Sequence, residues 1–146
     1  MPPPAPSPRA LTRRLVDGAP VPSDAPHAVA AHTACERFYD ELMRWTGGNG
    51  CHALFHRAVS LTSAAHPQLA RVEVRPNVQP HLAGIEEMRA SAGPDATKAA
   101  LESVLESVLE HLGRFIGDDL LATIVDRVVP HPDSLGGAVR NPEERR

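Results

Sequence analysis

Residues 95–116 carry apolar side chains at alternating steps of four and three, the period of one face of an α-helix. The recurring positions are Leu101, Leu105, Val108, Leu112 and Phe115, and the stripe is widened by Val104, Leu109 and Ile116. A surface helix of this kind is stable when its apolar stripe is buried against other elements. The pattern therefore predicts a long amphipathic helix that needs helical partners within the chain or outside it.

Three other segments repeat the helical spacing, at residues 26–45, 49–65 and 118–129, and a short helix is predicted at 81–90. The first of them carries Ala31, Cys35, Phe38, Leu42 and Trp45. Glycines at 47, 48 and 117 end the preceding helices, because glycine accepts the left-handed conformation at a helix C-terminus. Residues 68–80 alternate valine with charge, but no partner strand is apparent, so we expect an extended crossover.

The two helical pairs align with each other at a constant offset of 70 residues, without a gap. Phe38, Leu42 and Trp45 fall on Val108, Leu112 and Phe115, and Gly47 falls on Gly117. Glu36, Arg44 and Arg57 meet identical residues at 106, 114 and 127. Two unrelated amphipathic hairpins with a glycine corner would align in a similar way, so duplication and coincidence both remain open.

We therefore predict an all-α fold, a four- to five-helix bundle built from two helix–Gly corner–helix hairpins. The bundle domain is predicted at residues 23–130. Residues 1–22 are expected to be a disordered proline-rich tail and residues 131–146 a second disordered tail, because both are poor in apolar side chains.

Composition narrows the functional class. A net charge of −3, with arginines scattered among glutamates, does not favour a nucleic-acid binder. No apolar run approaches the length of a membrane span, and no signal peptide is apparent, so we expect a cytoplasmic protein with both cysteines reduced. Arginine outnumbers lysine fourteen to one, which we interpret as the codon bias of a GC-rich bacterial genome.

His52 and His56 are the candidate metal ligands, with Cys51 beside them in sequence. Histidines four residues apart on a helix point the same way and can share one ion, such as zinc. A zinc site needs three or four ligands, and the sequence marks no further one. In the repeat alignment Cys51 replaces Leu121 and Cys35 replaces Leu105, which predicts that both cysteines are small buried apolar residues.

His111 lies on the long helix, where a histidine could carry a phosphoryl group. In size and helical class the chain resembles the phosphotransfer domains of two-component signalling. The motif of those domains places a lysine and then a glycine shortly after the histidine. Here Leu112, Gly113, Arg114 and Phe115 follow, so the glycine comes too early and a bulky residue stands in its place.

The sequence contains no catalytic triad, nucleophile elbow or dinucleotide fingerprint. We therefore expect a non-enzymatic helical module that acts through protein interaction or regulation, with metal or small-ligand binding and histidine phosphotransfer as alternatives. The wide stripes of residues 101–116 and 119–129 predict a protein partner or a homodimer on those helices. The alternative is that the short helix at 81–90 and the 68–80 crossover cover this surface.

Overall fold

The computed structural model describes residues 6–129, and the chain in this range is almost entirely helical. The helices are α1 (Pro8–Asp17), α2 (His27–Thr62), α3 (Ile85–Ala92), α4 (Pro94–Ile116) and α5 (Asp118–Val128). A 3-10 helix (Pro67–Arg71) and two short strands, β1 (Glu73–Val74) and β2 (Leu82–Ala83), connect α2 to α3. The predicted all-α class is confirmed. The tail predicted at 131–146 lies outside the described residues.

Helix α1 corrects the prediction of a disordered proline-rich tail at residues 1–22 over residues 8–17. Residues 1–5 of that predicted tail lie outside the described residues. The Ser7 side chain accepts a hydrogen bond from the Ala10 amide at 3.1 Å, and Pro8 occupies the first turn, where its missing N–H costs nothing. Leu11, Leu15 and Val16 are buried. This helix was not predicted because its apolar stripe has only three residues, and the proline-rich composition beside it indicated disorder.

Helix α2 folds back on itself at Gly47, as the predicted glycine corner requires. Gly47 has φ +80° and ψ 166°, a backbone conformation that residues with a Cβ atom rarely adopt. The Cys51 sulfur lies 3.4 Å from the Tyr39 carbonyl oxygen, whereas a straight helix would separate twelve residues by about 18 Å. We call the two arms α2N (residues 27–46) and α2C (residues 48–62).

The α4–α5 turn has the same backbone conformation at Gly117, with φ +87° and ψ 163°. Gly93, between α3 and α4, adopts it as well, with φ +94° and ψ 162°. Because Gly93 belongs to neither predicted hairpin, this conformation is a general way of joining two helices here. It does not distinguish duplication from coincidence, and the offset-70 repeat stays a prediction.

Helix α4 is the centre of the core and packs on α2, α1, α3 and α5. Its buried apolar residues are Ala100, Leu101, Val104, Leu105, Val108, Leu109 and Leu112. The predicted stripes end before their last members: Trp45 is 43% exposed and Phe115 is 80% exposed. Each aromatic residue stands two positions before a corner glycine, whereas Ile116, next to Phe115, still packs partly against the core.

The segment between α2 and α3 is more ordered than an extended crossover. Strands β1 and β2 pair antiparallel, with Glu73 opposite Ala83 and Val74 opposite Leu82. The helix predicted at 81–90 begins only at Ile85. Residues 81–83 are not helical because the amides of His81 and Leu82 bond to Glu36 on α2, and Leu82 and Ala83 pair with β1.

Candidate functional site

His52 and His56 lie side by side on α2C, as their spacing predicts. Their ring centroids are 5.8 Å apart, His56 is exposed and His52 is half-buried. Within the described residues, the buried Nδ1 of His52 has no hydrogen-bond partner. The pair could supply two ligands to an ion.

The structure does not bring Cys51 to these histidines. Its thiol donates to the Tyr39 carbonyl inside the core, and burial, with the nearby Asp40 charge, raises the pKa of Cys51 to about 12. Cys35 is also buried, within 3.7 Å of the Leu101 carbonyl oxygen, and burial raises its pKa well above the usual thiol range. Across residues 6–129, no group of three or more potential ligands is close enough to hold a metal. Both cysteines pack as small apolar residues.

His111 is half-buried on α4, and its Nδ1 faces the Ser107 carbonyl oxygen at 2.8 Å. A carbonyl can only accept, so Nδ1 carries the proton and donates it. Nε2 is then the nitrogen that retains a lone pair in the neutral ring. The ring is fixed against its own helix and keeps one nitrogen with nucleophilic character.

The apolar faces predicted to bind a partner are largely covered within the chain. Besides α2, the covering elements are α1, which the sequence pattern did not predict, and α3. At the end of α4 and the start of α5, Ile116 and Leu120 are partly buried, and the exposed residues are Arg114, Phe115, Asp118 and Asp119. We call these six residues the corner surface.

A partly buried polar network, which the sequence pattern did not predict, holds the segment between β1 and β2 against α2N. The Glu36 carboxylate accepts hydrogen bonds from the amides of His81 (2.7 Å) and Leu82 (2.8 Å). Asp40 accepts from the His81 ring at 2.9 Å and from the Gln79 side chain at 2.9 Å. We call these residues, with the Leu82 amide, the polar clamp.

His81 is the centre of the clamp and is only 3% exposed. Its Nδ1 lies 2.8 Å from the Arg75 carbonyl oxygen and its Nε2 faces Asp40. The ring stacks on Tyr39, with centroids 4.0 Å apart and an interplanar angle of 14°. Burial, with the neighbouring Cys51, raises the pKa of Tyr39 to about 12, so this ring stays neutral.

Two effects oppose each other at Glu36. Burial raises the pKa of its carboxyl, while the hydrogen bonds from His32, Leu82 and His81 lower it. The hydrogen bonds prevail, and the pKa of Glu36 falls below its ordinary value. Glu36 is therefore an ionised acceptor near neutral pH.

A cleft of about 600 Å³ separates α1 and the loop after it from α4. Its walls carry both signs of charge, with Arg9 and Arg13 on α1 and Glu102 and Glu106 on α4. Lys98 already pairs with Glu102 at 3.0 Å. The cleft is polar and open, which is typical of a hydrated groove between helices.

No protein-family model, curated protein or solved structure matches this chain. Within residues 6–129, no helix combines the length and the apolar character that crossing a membrane requires.

Proposed function

We propose that this chain is a non-enzymatic helical module that acts by associating with protein, most simply with a second copy of itself through the corner surface. The observation that carries the proposal is Phe115, whose side chain is 80% exposed at the end of a helix that otherwise buries its apolar stripe. Large aromatic side chains are frequent energetic centres of protein interfaces. Ile116 and Leu120, close to it in sequence, pack partly against the core and are partly exposed.

The charges around Phe115 favour a second copy as the partner. Arg114 has a side chain that is 72% exposed, and Asp118 and Asp119 are exposed on the first turn of α5. A twofold contact repeats every interaction, so Arg114 of each copy would meet the acidic pair of the other. An apolar centre with such a charged rim fits the usual anatomy of an interface.

Sedimentation velocity at micromolar concentration tests this proposal. We expect wild type to be dimeric and Phe115→Ala to weaken the dimer by at least ~10-fold, as loss of a central aromatic typically does. Leu61→Ala is the matched control, because Leu61 is 50% exposed on α2C and is not part of the corner surface, so it should not change the dimer. A wild-type monomer would exclude self-association.

A charge exchange sharpens the test. Arg114→Asp and Asp119→Arg should each weaken the dimer, and the double variant should restore it if the two residues face each other across the twofold axis. Failure of the double variant to recover would place the contact elsewhere.

A metal site on His52 and His56 is the second candidate, supported by ring centroids 5.8 Å apart and the exposure of His56. Two imidazoles supply half of a tetrahedral zinc site, and water or a second copy would supply the rest. Titration calorimetry with zinc chloride tests it. Binding that disappears in His56→Ala but persists in His27→Ala, an exposed histidine on the first turn of α2N, would support the site.

Histidine phosphotransfer is the third candidate, supported by the fixed His111 ring whose Nε2 retains its lone pair. Phosphoramidate, a small phosphoryl donor, should then modify the wild type at His111 and leave His111→Gln unmodified at that position, as read by mass spectrometry at alkaline pH. Equal modification of both proteins would remove this candidate.

A further inference from the structure

The buried His81 ring has both of its nitrogens within hydrogen-bond distance of groups that can only accept. The Arg75 carbonyl oxygen is 2.8 Å from Nδ1, and an Asp40 carboxylate oxygen is 2.9 Å from Nε2. Neutral imidazole has one N–H, whereas the imidazolium ion has two. Only the protonated ring can satisfy both acceptors.

We propose that His81 is a pH-sensitive latch, which holds residues 73–83 on α2N when its ring is protonated and loosens them when it loses the proton. The latch is a property of the fold that goes beyond the proposed association. It sits in the polar clamp and involves none of the corner surface.

The surroundings of His81 determine which form fits. The acidic groups facing it are Asp40, bonded to the ring, and Glu36, bonded to its backbone amide. Tyr39 stacks on the ring and remains neutral, and a cation over an aromatic face is favourable. Cys51, behind Tyr39, stays a neutral thiol because its pKa is about 12.

Two further side chains, Arg75 and His32, belong to the same region. The Arg75 guanidinium donates both Nε and Nη2 to the Pro80 carbonyl, at 3.2 and 2.9 Å, so it is engaged outside the ring. His32 lies 3.2 Å from Glu36 and is the other histidine in contact with the clamp. Two carboxylates therefore face the His81 cation while the nearest guanidinium is held by a carbonyl.

Loss of the proton removes one of the two ring hydrogen bonds and leaves a bare ring nitrogen opposite an oxygen that can only accept. Water has little access to this nitrogen because His81 is only 3% exposed, although the side chain of Asp40 is itself 46% exposed. The Glu36 bonds to the His81 and Leu82 amides remain, so the segment loosens without detaching. The protonated ring therefore holds the segment more tightly than the neutral ring does.

Hydrogen exchange between pH 5.5 and 8.5 tests the latch. After correction for the intrinsic pH dependence of exchange, protection of the Arg75, His81 and Leu82 amides should fall on the order of tenfold across this range, the effect of one charge-assisted hydrogen bond. Amides in the middle of α4, such as Leu105, provide the internal control and should keep their protection. Uniform protection of the segment at every pH would overturn the proposal.

Variants separate His81 from its neighbours. His81→Phe keeps a ring against Tyr39 but has no proton to lose, so the segment should be loose at every pH. Asp40→Asn removes the carboxylate partner and should flatten the pH dependence. His32→Gln should leave it intact, and transfer of the pH dependence to His32 would contradict the latch.

A spectroscopic measurement keeps the test independent of folding in the variants. The ¹⁵N shifts of the wild-type His81 ring distinguish a doubly protonated imidazolium from a neutral tautomer. We expect both nitrogens to be protonated at pH 6 and one to lose its proton as the segment loosens. A neutral ring at pH 6 would overturn the latch.

Discussion

The two folded-back helical pairs share a backbone design but differ in what covers them. Both α2 and α4–α5 turn at a glycine with positive φ, and both expose an aromatic residue two positions before it. The α4 side is covered by α1, through the buried Leu11 and Leu15. The outer side of α2N is covered by the polar clamp, through carboxylates and a buried histidine.

This difference separates two ways of completing a helical core. An apolar cover depends on area removed from water, and pH does not affect it. A polar cover depends on the ionisation of the groups that form it, and each buried group must keep its partner. The same scaffold therefore has one side that resists changes in pH and one that responds to them.

The largest effect is expected on the apolar cover. Leu15→Ala removes a fully buried side chain at the contact of α1 with α4, and we expect a loss of about 2–5 kcal/mol in the free energy of unfolding. Urea denaturation measures it, with the half-exposed Leu61→Ala as a control that should change little. A small loss for Leu15→Ala would mean that α1 is a loosely attached element.

Glu36→Gln should have the next largest effect, about 2 kcal/mol at neutral pH, because the neutral amide replaces a charged acceptor of two backbone N–H groups. Glu106→Gln is the matched control: it occupies the equivalent position in the offset-70 alignment, and no hydrogen bond of its side chain is found among residues 6–129. Equal losses of unfolding free energy in the two variants would show that the polar clamp contributes no more to stability than Glu106 does.

The pH dependence of the same pair follows from the lowered pKa of Glu36. A carboxyl whose folded pKa is lowered stabilises the fold above its unfolded pKa, and this stability is lost as pH falls through the folded value. We expect wild type and Glu106→Gln to lose stability more steeply below pH ~4.5 than Glu36→Gln does.

Changes at the two corners should come third. Alanine at Gly47 or at Gly117 meets no atom within 4 Å, so its cost is backbone strain alone, about 1–2 kcal/mol. Gly48→Ala is the control, because Gly48 is not among the glycines with positive φ and also has open space around it. Thermal unfolding should show similar losses at the two corners. Unequal losses would show that the hairpins differ in their turns as well as in their covers.

The smallest effect is expected for the polar contact within the apolar cover. Arg14 donates to Asp126 at 2.8 Å and to the Val129 carbonyl at 3.0 Å, and so connects α1 to the C-terminus of α5. Because this ion pair is partly exposed, Arg14→Ala should cost only about 0.5–1 kcal/mol. Arg44→Ala, at an arginine whose side chain is 74% exposed, should be neutral in the same denaturation experiment.

The sequence predicts the parts of the fold that depend on local spacing. The stripes of α2, α4 and α5 and the glycine corners are visible because their determinants lie within one or two turns of each other. Helix α1 was missed although it carries signals of its own, with Ser7 as the cap and Leu11 and Leu15 four residues apart. The first eight residues of the chain contain five prolines, and this composition led to the prediction of a disordered tail.

The polar clamp could not be predicted from spacing, because its partners are far apart in sequence. Asp40 and His81 are separated by 41 residues, and Glu36 and Leu82 by 46. On α2N, Glu36 and Asp40 are two acidic residues four positions apart, a pattern that is usually solvated. Only the folded structure shows that this acidic pair faces the backbone amides of His81 and Leu82 and the ring of His81.

The position of α1 also matters for how the protein is made. Translation produces α1 before its main partner α4, which starts 77 residues after α1 ends. At synthesis rates of ~5–20 residues per second, α1 waits about 4–15 s before α4 begins to appear. During that interval Leu11, Leu15 and Val16 have no α4 to cover them. Helix α1 is thus made before α4 but completes its packing only once α4 is available, and until then its leucines form a short apolar segment without their main cover.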